Sequence, residues 1–163
     1  MVPIVFAHGL EGSPNGRKIQ HLRTSGFELV APDGRGLALA DRLVDLEEAT
    51  RGRGILLIGS SYGGLAAAHL AMIHPERFMG LLLLAPALHH SEPPVSDASQ
   101  IQPPPGVPTM VIHGLFDRVV PIESSKAYAK KGATLREVED DHSLAHSLEV
   151  IESSVRALLG RPL

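Results

Sequence analysis

Six short, largely apolar runs punctuate the chain, near residues 2–7, 27–31, 54–59, 79–85, 108–113 and 134–138. Runs such as Leu81-Leu82-Leu83-Leu84 show no polar alternation, and strands buried on both faces of a parallel sheet read this way. Between the runs the apolar spacing changes to three or four residues. Leu39, Leu43 and Leu46 share one helical face, and Leu144, Leu148, Ile151, Val155 and Leu158 predict the buried stripe of a terminal helix. Pro121 suits the first turn of a helix closing at Gly132, and Pro75 ends the helix that precedes it. Strand and helix alternate throughout, so an α/β fold with a parallel sheet covered on both faces is expected. The irregular stretch is 88–105, with Pro93-Pro94 and Pro103-Pro104-Pro105. It reads as a stiff surface connection whose first residues, Leu88 to His90, could rim or partly lid a pocket.

Composition narrows the class. A chain of 163 residues that is 44% hydrophobic is expected to form one domain over residues 1–163. A net charge of −3 without a basic stretch argues against nucleic acid or an anionic membrane as partner. No apolar run approaches the roughly 20 residues that span a bilayer, and a strand stands where a signal peptide would. The expectation is a cytoplasmic protein, monomeric or a small homo-oligomer. The absence of cysteine excludes disulfides, thiolate zinc sites and a thiol nucleophile.

The third run supplies the candidate chemistry. Ile55-Leu56-Leu57-Ile58 leads into Gly59-Ser60-Ser61-Tyr62-Gly63, a G-x-S-x-G at a strand-to-helix turn. Only Ser61 has glycine at both flanking positions, and such a turn exposes its hydroxyl above a helix N-terminus. A serine hydroxyl needs a base within hydrogen-bond reach and a third group to orient that base. Asp117 and His142 follow the fifth and sixth runs, each just past a strand end, and offer the acid and the base. As alternatives, Asp117 could cap the helix that follows it; Asp140 or Asp141 is expected to cap the terminal helix, leaving His142 free. The remaining histidines read as bland. His21, His69, His74 and His146 fall on helices, while His8 and His113 stand at strand ends and shape loops. His89-His90 lacks an accompanying H-E-x-x-H-type motif, so no metal is predicted.

These residues, with His8-Gly9 after the first strand, Pro32-Asp33-Gly34-Arg35-Gly36 after the second and His113-Gly114-Leu115-Phe116-Asp117-Arg118-Val119-Val120-Pro121 after the fifth, resemble the α/β-hydrolase superfamily over nearly the whole chain. Within it, HGLEGSPNGRK is similar to the opening loop of small lidless esterases typified by the bacterial YqiA group, although Gly12 stands where that group has a second serine. The resemblance implies an α/β-hydrolase core of six parallel strands in spatial order 2-1-3-4-5-6, flanked by helices and without a cap domain. It implies Ser61 as nucleophile, His142 as base and Asp117 as acid. Backbone amides of Leu10 and Tyr62 would form the oxyanion hole, with Glu11, Leu88, His89 and Val119 around the substrate pocket. No cofactor is implied, and the partner would be a small-molecule ester.

Two other classes were open to the sequence. Gly9 to Lys18 follows a strand and contains three glycines, yet matches neither G-x-x-x-x-G-K-[ST] nor G-x-G-x-x-G, so phosphate cradling is disfavoured. A hydrolase fold kept as an interaction module, or one acting on thioesters or amides, carries the same motifs.

Overall fold

A computed structural model describes residues 1–160. Five parallel strands, β1 (Ile4–Ala7), β2 (Ile55–Ser60), β3 (Phe78–Leu84), β4 (Thr109–Gly114) and β5 (Thr134–Val138), lie side by side in sequence order. Five α-helices connect or flank them: α1 (Arg17–Thr24), α2 (Leu39–Ala49), α3 (Tyr62–Ile73), α4 (Ile122–Ala129) and α5 (Leu148–Leu158).

The strand content explains the layering. Successive strand side chains point to opposite faces, so each apolar run serves two cores. Val5, Leu57, Leu81, Leu83 and Val111 pack with α2, α3 and Tyr128 of α4, whereas Phe6, Leu56, Ile58, Leu82 and Ile112 pack with α1 and α5. At the β5 edge, Arg136 and Glu137 are exposed, and charge on an edge strand discourages pairing with another chain.

The expected sixth strand, near 27–31, is not one. This segment does lie beside β1, where Val30 donates to Ile4 O and Phe6 donates to Val30 O. The next bond of that parallel ladder would require an N–H at position 32. Pro32 has none, and the ladder stops after a single bridge.

The terminal helix also differs from its predicted stripe. Leu144 is fully buried but precedes the helix, in a turn with φ 55°, and α5 begins at Leu148. Its N-cap, Ser147, makes no side-chain capping bond, so neither expected aspartate caps α5. Asp141 instead accepts from the Ser143 amide, and Asp140 accepts from the His146 amide and the Ser147 hydroxyl. These bonds shape the loop carrying His142. His146 lies in that same loop rather than on a helix.

Candidate active site

β2 ends at Ser60 and α3 begins at Tyr62, leaving one residue for the reversal. Ser61 adopts φ 54° and ψ −114°, a conformation that side chains with a Cβ rarely take. Its amide donates to Leu84 O, while its carbonyl accepts from the Leu65 and Ala87 amides. The flanking glycines are needed for clearance. A Cβ on Gly59 would lie 2.6 Å from Ala67 Cβ and Gly63 O, and one on Gly63 would overlap the carbonyl oxygens of Ala7 and His8. The second contact brings the end of β1, with its His8-Gly9 loop, against the start of α3.

Three separate strand ends converge at Ser61. Its Oγ lies 2.9 Å from His142 Nε2, and His142 Nδ1 lies 2.7 Å from Asp117 Oδ2. A carboxylate only accepts, so Nδ1 carries the ring proton and Nε2 is free to accept from the serine hydroxyl. The Asp117 side chain is fully buried, and its Oδ1 accepts from the Val119 and Val120 amides at 2.8 Å each. Burial pushes its carboxyl up, but the Val120 amide, His142 and the Val119 amide outweigh this and hold it below the ordinary aspartate value. Asp117 is thus kept ionised.

A second histidine reaches the same carboxylate. His113, on β4 and fully buried, places Nε2 3.2 Å from Asp117 Oδ2 and 3.0 Å from Val120 O. Because Val120 O can only accept, Nε2 is the protonated nitrogen. Nδ1 then accepts from Ser125 Oγ of α4 at 2.7 Å. Desolvation by burial holds His113 below the usual histidine value, in its neutral form. Sequence reasoning placed His113 only as a loop-shaping residue at a strand end and missed this contact; the part played by Ser125 has no sequence signature.

Two amides nearby are free. Tyr62 is the first residue of α3, where no intrahelical carbonyl is available. Neither its N–H nor that of Leu10 donates to a group among the described residues. Gly9 brings the Leu10 peptide close: a Cβ built on Gly9 would touch Ser61 Cβ at 3.4 Å.

The expected pocket residues are spread around this centre. Glu11 lines a cavity of about 220 Å³ together with Gly9, Lys18 and Ser60. His89 is exposed, and desolvation holds its imidazole below the usual histidine value. Val119 is 62% exposed and contributes its amide to Asp117. Leu88, at 5% exposure, belongs to the core. The Tyr62 ring is also buried, and its hydroxyl donates to Glu92 at 2.8 Å. Desolvation, followed by that bond, raises the phenol to about 12. Glu92 is a residue the sequence did not single out. It also accepts from the Leu39 amide at 2.9 Å, placing a carboxylate at the otherwise uncapped N-terminus of α2.

The family model described as alpha/beta hydrolase fold matches residues 2–104, more than half of the chain. The chain belongs to the α/β-hydrolase fold family. Est1E from Butyrivibrio proteoclasticus superimposes with a TM-score of 0.78 at 20% identity, covering 97% of this chain and 86% of that one. A protein of the alpha/beta hydrolase superfamily from Xanthomonas campestris pv. campestris gives 0.79 at 24% identity, covering 98% and 99% respectively. The monoacylglycerol lipase of Paleococcus ferrophilus gives 0.77 at 17% identity, over 97% of this chain and 94% of that one. At these identities the likeness establishes the fold. No curated protein matches the chain. Among the described residues no helix is long and apolar enough to cross a membrane, and no group of three or more His, Cys, Asp or Glu side chains could hold a metal ion.

Proposed function

We propose that this hydrolase-fold protein is a serine esterase that cleaves small carboxylic esters through an acyl-enzyme. The observation that carries the reading is the unbroken hydrogen-bonded chain from Ser61 Oγ through His142 to the buried Asp117 carboxylate. Ser61 Oγ attacks the ester carbonyl carbon as its proton passes to His142 Nε2. Asp117 holds the imidazole in the required tautomer and stabilises its protonated form. Negative charge developing on the carbonyl oxygen is received by the Leu10 and Tyr62 amides. The C–O bond breaks, the alcohol departs with the proton from His142, and water repeats the sequence on the acyl-enzyme to release the acid and restore Ser61. Side chains and amides perform every step, so the reaction calls for no cofactor.

The loop at 88–105 bears on substrate size. Val95, Ala98 and Ile101 bury into the core, and Lys131 Nζ donates to Ser99 O at 2.6 Å, so this segment is packed down. Without an enclosing cap, a long acyl chain gains little burial, and each methylene contributes at most about 0.8 kcal/mol. Acetate to butyrate esters should therefore be favoured over chains beyond about ten carbons. The test is labelling with a fluorophosphonate probe, mapped by peptide mass spectrometry, beside a panel of esters of increasing length. Labelling confined to Ser61 with turnover of short esters is the expected result. Labelling without ester turnover would redirect the reading to thioesters or amides. Failure of both in folded protein would overturn it in favour of an interaction module.

A further inference from the structure

The Gly9 carbonyl is an unusually crowded acceptor. His8 Nδ1 lies 2.7 Å from it, Arg42 Nη2 donates at 3.2 Å and the Gly12 amide donates at 3.1 Å. Arg42 also donates through Nη1 to the preceding carbonyl, His8 O, at 2.5 Å. One guanidinium thus grips two successive peptide oxygens, a task suited to its planar fork.

The consequence follows from peptide geometry. In a trans peptide the N–H points opposite to the C=O of the same unit. Gly9 O and the Leu10 N–H share one unit, so fixing the oxygen fixes the direction of that N–H. With His8 O held as well, the planes on both sides of Gly9 are set.

The two gripping side chains are themselves constrained. The Gly34 amide donates to His8 Nε2 at 2.9 Å, which leaves Nδ1 as the protonated nitrogen directed at Gly9 O. Asp33 stands 3.9 Å from that Nε2 and is paired with Arg35. Arg42 is nearly buried, and its guanidinium carbon lies 4.8 Å above the centre of the Tyr62 ring. Its Nε is buried without a hydrogen-bond partner among the described residues, an unfavourable arrangement for a residue serving only packing. Arg42 also sits one turn into α2 from Leu39, whose amide Glu92 holds. A single side chain therefore touches both segments that carry the free amides, the His8-Gly9 loop and the first residue of α3.

We propose that Arg42, assisted by His8, is the positioning residue of the oxyanion hole, aiming the Leu10 amide at the substrate carbonyl oxygen and tying it to Tyr62. This rests on the esterase reading. Arg42 does not touch the reacting atoms. It acts through the Gly9–Leu10 peptide, and its loss should weaken stabilisation of the charged oxygen more than binding of the uncharged ester.

The experiment compares wild type with Arg42→Met on a short ester and on its thionoester, in which sulfur replaces the carbonyl oxygen and is a poorer acceptor. Arg42→Met should lower kcat by about 10- to 100-fold with KM within about threefold, somewhat less than deletion of a hole donor outright. The preference for ester over thionoester should shrink by a similar factor. A folded Arg42→Met enzyme with kcat within about twofold of wild type overturns the inference, as does a fall in kcat with an unchanged ester-to-thionoester ratio, which would mark Arg42 as structural only. If Arg42→Met does not fold, Arg42→Lys carries the same comparison, because it keeps the charge and stem but not the fork. Wild-type turnover with Ser61 labelling, measured alongside, separates the two claims. Its absence overturns the esterase reading and the inference resting on it, whereas its presence with an unmoved ratio overturns the inference alone.

Discussion

Two serine–histidine pairs flank one aspartate in this molecule. His142, bonded to Ser61, lies 2.7 Å from Asp117 Oδ2, and His113, bonded to Ser125, lies 3.2 Å from the same oxygen. The two rings are opposite tautomers, His142 protonated on Nδ1 and His113 on Nε2, yet their roles correspond. Each imidazole accepts from a serine hydroxyl through one nitrogen; the protonated nitrogen of His142 donates to the carboxylate, whereas that of His113 donates to Val120 O and lies 3.2 Å from the same carboxylate. What differs is the setting. The side chain of His142 is 23% exposed and its serine sits at an elbow on the open ends of the strands, while His113 and Ser125 are fully buried between β4 and α4. A buried pair cannot meet a substrate, and its hydrogen bonds hold a loop in place. A partly exposed pair whose serine sits on a strained turn is available for chemistry. Residue types and mutual geometry, even together, do not define a nucleophile; access does.

The sharpest way to break this comparison is to delete each serine. Ser61→Ala and His142→Ala should each lower kcat by roughly 10⁴ to 10⁶, and the double variant should be scarcely worse, because the two act as a unit. Ser125→Ala should cost less than about tenfold. Ester kinetics on the purified variants decide the matter: equal losses from the two serines, or additive losses at Ser61 and His142, would erase the distinction.

The shared aspartate comes next. Asp117→Asn keeps the shape but presents an amide where His142 needs an acceptor, and should reduce kcat by roughly 10³ to 10⁴ while the protein still melts cooperatively. Normal activity in that variant would point to a different acid.

The buried pair should reveal itself in stability. His113→Phe leaves the Val120 carbonyl without its donor and the Ser125 hydroxyl without its acceptor, at a cost of about 2 to 4 kcal/mol in urea unfolding. A change below about 0.5 kcal/mol would show that the buried pair is not holding the acid loop.

A smaller effect concerns pH. His113 and His8 are both held below the ordinary histidine value of 6.5, chiefly by desolvation. Their unfolded forms bind protons first as pH falls below that value, so the stability linked to the neutral rings is complete above about 6.5 and is lost as pH drops toward their folded values. Thermal melting should therefore fall by a few °C between pH 7 and 5.5. A flat or rising midpoint over that interval would contradict the assignment of both rings as neutral.

Much of the site was legible because the signals are local and steric. Gly59 and Gly63 mark Ser61 because a Cβ at either position would meet backbone or a neighbouring side chain, a restriction that the residues themselves reveal. Asp117 and His142 were identifiable because each follows an apolar run by a few residues, and parallel strands gather such ends on one side of the sheet. Less was legible where one residue acts on a distant one. Arg42 reads as one more polar residue on an amphipathic helix, and Glu92 as part of a proline-rich connection; their roles arise from contacts 34 and 30 residues away.

The sequence by itself determined the α/β alternation, the serine elbow and the order of Ser61, Asp117 and His142 along the chain. These depend on periodicity, turn sterics and position along the chain. Tertiary structure alone decided which of two serine–histidine pairs is open to solvent, that Pro32 limits the second run to a single bridge, and that one guanidinium holds the Gly9 carbonyl. Burial, ladder register and the direction of a peptide N–H are set by neighbours in space, and no local spacing encodes them.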